Sequence, residues 1–106
     1  MNRTCFTLRV RPDRLDEYRK HHEDVWPQMQ EALTRSGWRN YSLFLTDEGL
    51  LIGYVETPGT FDEALAAMAD EPVNTEWQAM MAPFFEGDGT AADQMMRTVD
   101  EVFHLP

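Results

Sequence analysis

Tyr18 and His22, four residues apart, are the side chains of this 106-residue chain with the types and spacing to move a proton. They belong to a run in which Leu15, Tyr18, His22, Val25, Trp26, Met29 and Leu33 recur at i, i+3, i+4 and i+7, the spacing of one helical face. That stripe should be buried, which sets a phenol and an imidazole facing inward among Leu, Val and Met. An imidazole titrates near neutrality and can act as acid and as base. The plainer role for His22 is a neutral ring satisfied by a backbone carbonyl. For Tyr18 it is a core residue with its hydroxyl at the rim. His21, about 100° away around the helix, should look sideways or outward. Pro27 lacks an N–H and clashes with the carbonyl four residues earlier, so the helix should kink or restart just after His22. A small pocket can open there.

Two further side chains sit where they can reach such a pocket. Tyr41 opens a strand that can lie under the first helix in the topology given below, although alone it is a routine strand residue. Trp77 offers a flat surface for the C–H face of a sugar ring, but a single Trp on a helix is more often core. Trp26 and Trp38 are assigned to packing, the seven methionines to core filling, and Glu86, Asp88 and Asp93 to a solvated loop. No metal site is expected. His21 and His22 diverge on a helix, no second His follows at i+4, and His104 stands apart. No nucleophile motif, phosphate loop or dinucleotide fingerprint is present in the sequence.

The elements that must position these groups follow in order. Phe6, Leu8 and Val10 alternate with polar residues as a first strand, and Pro12 suits the start of a helix running to about Ser36, ended at Gly37. A second strand carries Tyr41, Leu43 and Leu45. Asp47-Glu48-Gly49 turns the chain into a third strand, Leu50 to Glu56. Thr60 with Glu63 forms a capping box for a helix through Ala69, and Pro72 starts another through Met81. Pro83 to Ala92 reads as loop, and Arg97 to Leu105 as a closing strand. The order β-α-β-β-α-β predicts an α+β, ferredoxin-like sandwich in one domain over residues 1–106, with a four-stranded antiparallel sheet and helices on one face. Apolar residues on both sides of the third strand imply that the other face is also covered, as in a sheet-to-sheet homodimer.

Composition narrows the partners. A formal charge of −10 and a pI near 4.5 argue against nucleic acid or an anionic membrane and favour a neutral small molecule. Cys5 is the only cysteine, so no internal disulfide can form and a reducing compartment is expected. No signal-peptide pattern or long apolar run interrupts the strand signal near Met1, so a cytoplasmic location is expected.

Glu17-Tyr18, His22, Trp26-Pro27, Asn40-Tyr41, Trp77 and the ending Glu101-Val102-Phe103-His104-Leu105-Pro106 together resemble the L-rhamnose mutarotase family over nearly the whole chain. The resemblance implies a dimeric α/β barrel that interconverts the α and β anomers of L-rhamnose without a cofactor. It further implies that His22 is the proton donor, that Tyr18 and Tyr41 bind the sugar, and that Trp77 is one of two adjacent tryptophans lining the sugar site. Two positions depart from the family pattern. Glu76 replaces the other tryptophan, and His104 stands where a tyrosine is usual. Both bear on which sugar is taken, leaving L-fucose or another neutral hexose open. Fold analogy also admits a haem-binding or small-molecule monooxygenase of the same barrel type. The remaining class is a sugar-binding module without catalysis.

Overall fold

The computed structural model describes residues 1–87 and 90–106. The chain runs β1 (Asn2–Arg9), α1 (Leu15–Glu23), α2 (Pro27–Arg35), β2 (Arg39–Leu45), β3 (Leu50–Thr57), α3 (Phe61–Ala69), α4 (Pro72–Met81) and β4 (Arg97–Val99). Short 3-10 turns occupy Pro12–Arg14, Ala82–Phe84 and Ala92–Gln94. The strands form one sheet in the order β2-β3-β1-β4, with every pairing antiparallel. This is the ferredoxin-like arrangement expected from the element order, with each helical layer divided in two.

Proline divides both layers. Trp26, immediately before Pro27, is held extended at ψ 132°, as a residue preceding proline must be, and α1 accordingly stops at Glu23. The single helix expected to reach Ser36 is therefore two helices, and the bend expected just after His22 is a full restart at Pro27. Gly37 ends α2 at φ +91°, a conformation that glycine adopts without a Cβ clash. On the other layer Pro72 starts α4, and Thr60 caps α3 by accepting the Glu63 N–H at 3.1 Å. The Glu63 carboxylate closes the capping box differently from the usual pattern, accepting from the Thr60 hydroxyl at 3.2 Å.

The core lies between the sheet and the helices. Phe6 and Leu8 of β1, with Leu51 and Val55 of β3, are buried there against Met29, Ala32, Met68, Trp77 and Met81. Phe6 stands directly opposite Gly53 in the β1–β3 register, and a Cβ on Gly53 would be driven into the Phe6 ring. The missing side chain lets Phe6 lie flat across β3. There it stacks on Phe61 at 5.8 Å and approaches Tyr41 of β2 at 6.3 Å.

Two expectations need correction. The closing strand is three residues long, and residues 100–106 carry no regular structure. β1 supplies ladder partners only for Arg97, Thr98 and Val99, after which one side-chain ion pair, Arg3 to Glu101 at 2.8 Å, is what ties the tail back. The segment expected to be loop from Pro83 onward is partly core instead. Phe84 and Phe85 are buried, and Phe85 bridges to Val10. Asp88 lies outside the described residues. On the sheet face away from the helices, Phe44 is 61% exposed and Val99 50%, beside half-buried Ile52 and Tyr54.

Gly53→Ala should destabilise the fold by about 1–3 kcal/mol, because the Phe6 ring has no free space to move into. Urea denaturation followed by far-UV circular dichroism measures this, and an unchanged midpoint would show that the ring can shift.

Candidate active site

The Tyr18–His22 pair lies as the helical spacing requires. One turn apart on α1, the two rings stack with centroids 4.3 Å apart and planes 26° apart. The His22 Nδ1 lies 3.0 Å from the Tyr18 carbonyl oxygen. A carbonyl can only accept, so Nδ1 carries the proton and Nε2 is left with its lone pair. The plainer role foreseen for His22 is thus half fulfilled: one nitrogen serves the backbone and the other does not.

Around His22 opens a cleft of about 490 Å³, lined by groups from both helical layers and from β2. His22 belongs to α1, Met29 and Leu33 to α2, Tyr41 and Leu43 to β2, and Trp77 and Gln78 to α4. A smaller recess of about 50 Å³ runs on from it, sharing His22, Tyr41, Trp77 and Gln78 and reaching Tyr18. The four residues singled out in the sequence therefore converge, Tyr18 at the deep end. Trp77 is buried and meets His22 edge to face at 5.6 Å. Trp26 in turn meets Trp77 at 5.0 Å and 86°, holding it in place as packing. Trp38 is also packing; its indole N–H donates to the Ala64 carbonyl at 3.2 Å. Glu76 and His104 are both exposed, and neither lines the cleft or the recess.

Three polar lining residues were not placed at the site by the sequence reading. Asn74, Gln78 and Asp93 form a chain of hydrogen bonds along one wall. Asn74, Trp77 and Gln78 stand at i, i+3 and i+4, so the stripe that points Trp77 inward also marks the other two. Asp93 has no such signal. It was assigned to a solvated loop, yet it is half-buried because the chain folds back against α4 after the 3-10 turn that ends at Phe84. Among the described residues, no three His, Cys, Asp or Glu side chains are grouped to hold a metal ion.

Burial sets the protonation of the site. It pushes His22 below its usual value of 6.5, outweighing the Tyr18 carbonyl bond that favours the cation, and nearby His21 adds to the lowering. The phenols of Tyr18 and Tyr41 are pushed well above 10, by burial in both and by their mutual proximity at Tyr18. At neutral pH all three groups are uncharged. The His22 C2–H resonance should then titrate with a midpoint below 6.5 in a pH series of NMR spectra. Because the unfolded chain takes up a proton that folded His22 resists, stability should fall as pH drops below about 6.5. A midpoint at or above 6.5 would contradict the buried geometry.

Comparison with known proteins bears on the family and the fold. Residues 3–105 match the family model for L-rhamnose mutarotase. The chain is 37% identical to the L-rhamnose mutarotase of Bacillus subtilis and 36% identical to that of Oceanobacillus iheyensis, over 99% of both chains in each case. Among solved structures, the L-rhamnose mutarotase of Formosa agariphila superposes with a TM-score of 0.82 at 18% identity over the full length of both chains. The fold is also shared with the Mycobacterium tuberculosis protein Rv0793, at a TM-score of 0.56 and 16% identity over 98% of this chain and 97% of that one. With a family match spanning almost every residue, this chain belongs to the L-rhamnose mutarotase family of isomerases.

Proposed function

We propose that this protein interconverts the α and β anomers of L-rhamnose, or of a closely related neutral sugar such as L-fucose, with His22 carrying the proton. The observation that supports this best is the Nδ1–H bond to the Tyr18 carbonyl, which presents a neutral imidazole with a free Nε2 lone pair at the cleft. Nε2 takes the proton from the anomeric hydroxyl while the bond between the anomeric carbon and the ring oxygen breaks. The imidazolium then returns that proton to the ring oxygen, which was bonded to the same carbon. The aldehyde rotates about its C–C bond, and the reverse steps close the ring on the other face. One nitrogen serves both oxygens, and no proton is gained or lost. An imidazole is suited to this because each protonation state is accessible near neutral pH.

The remaining groups bind and orient. Tyr18 and Tyr41, held neutral by burial, offer hydroxyls that both donate and accept. Trp77 presents an apolar surface at the cleft wall. A neutral sugar also suits a site whose own titratable rings are uncharged. Among the described residues no helix is long and apolar enough to cross a membrane, and the single cysteine fits a cytoplasmic setting. We further propose that the working unit is a homodimer closed over the sheet face bearing Phe44 and Val99, both at least half exposed in the single chain.

His22→Ala should lower anomer exchange, followed by saturation-transfer NMR, by roughly 10²–10⁴-fold while circular dichroism stays unchanged. Exchange as fast as in the parent would remove His22 from the chemistry. A parent that binds the sugar without accelerating exchange would point to a binding module. Sedimentation should give twice the chain mass, and Phe44→Asp should shift it toward the single chain.

A further inference from the structure

Gln78 holds a buried acceptor for which the described residues supply no donor. The direction of its amide follows from its neighbours. Asn74 Nδ2 donates to the Met68 carbonyl at 3.2 Å and to Asp93 Oδ2 at 3.1 Å. Two acceptors thus claim the NH2 end of Asn74 and turn its Oδ1 toward Gln78. That oxygen accepts from Gln78 Nε2 at 3.2 Å. A reversed Gln78 amide would set oxygen against oxygen. Its Oε1 is therefore the end left over, and it is sealed from solvent with no hydrogen-bond partner. Gln78 lines both the cleft and the recess, together with His22, Tyr41 and Trp77. A buried carbonyl left unmatched lowers stability, and such groups are few in native proteins.

We infer that Gln78 Oε1, closed to solvent in the single chain, is uncovered as the sugar binds and accepts a hydrogen bond from one of its ring hydroxyls, making Gln78 a specificity-determining residue. Asn74 and Asp93 are positioning residues that keep the oxygen, rather than the NH2 group, available to it. The inference rests on the sugar reading above and adds a selection rule to it. A sugar lacking that one hydroxyl leaves Oε1 unmatched in the complex as well. Polar groups that go unpaired on binding are what allow a site to reject such an analogue.

The test compares L-rhamnose with its 2-, 3- and 4-deoxy derivatives, each lacking one donor, by anomer exchange over a range of sugar concentrations. In the parent, one deoxy sugar should show a KM roughly 10-fold above that of L-rhamnose, with kcat changed less. In Gln78→Met the KM for L-rhamnose should rise by a similar factor, and the difference from that deoxy sugar should vanish. Intrinsic differences in ring-opening rate between sugars cancel when parent and variant are compared. Asp93→Ala, which frees the Asn74 amide to turn, should weaken the same discrimination with Gln78 still present, and serves if Gln78→Met does not fold. Discrimination that persists unchanged in the variants would overturn the inference and leave the mutarotase reading intact. A parent that accelerates exchange of no sugar would remove both.

Discussion

The restart at Trp26–Pro27 is the constraint on which the site depends. Proline supplies no N–H for the helix and forces Trp26 to be extended, so α1 ends at Glu23 and α2 sets off from a new origin. The cleft is lined from both sides of that break, by His22, Glu23 and Val25 before it and by Met29 and Leu33 after it. The break also leaves Trp26 half-buried, where it packs edge-on against Trp77 and fixes one wall. A continuous helix would carry the same side chains on one straight stripe, with no such parting beside His22.

The same burial that encloses the cleft decides its chemistry. Desolvation disfavours charge, and so it moves imidazole and phenol in opposite directions: His22 down, Tyr18 and Tyr41 up. Both shifts leave the groups neutral at physiological pH. The phenols are thereby confined to hydrogen bonding, since a phenolate would have to form well above pH 10. The imidazole remains the one of the three able to pass a proton. Glu23 and Asp93 line the cleft, but most of the acidic residues behind the formal charge of −10, such as Asp16, Glu17, Glu48 and Asp62, are exposed away from it. A sugar entering the cleft meets uncharged rings.

The wall opposite His22 is polar in a different way. Asn74, Gln78 and Asp93 are tied to one another and to the backbone of α3 through the Met68 carbonyl. An amide network of this kind has a sense of direction, because each NH2 must find an acceptor and each oxygen a donor. Donation here runs from Gln78 through Asn74 to Asp93. Glu76 and His104 are exposed in the single chain, and neither lines the cleft.

The sheet topology, the helical boundaries at Gly37 and Thr60, and the inward pairing of Tyr18 with His22 were legible from residue order alone, whereas Tyr41 and Trp77 were drawn to the site by the family resemblance. The reason is local: period-2 and period-3.6 patterns, proline, and caps act over a few residues. The inward pairing of Tyr18 with His22 follows from helical geometry whatever else the chain does. What required the tertiary structure is everything set by segments distant in sequence. The final strand stops at Val99 although β1 runs on to Asn2, an end that no pattern within 97–105 reveals. Phe84 and Phe85 are core because Val10 and Arg11 lie alongside them. Asp93 reaches Asn74 across 19 residues, and the tautomer of His22 depends on the carbonyl beside it once burial has excluded water. Local physics placed the reactive side chains on their elements; their protonation and partners were decided by what packed against them.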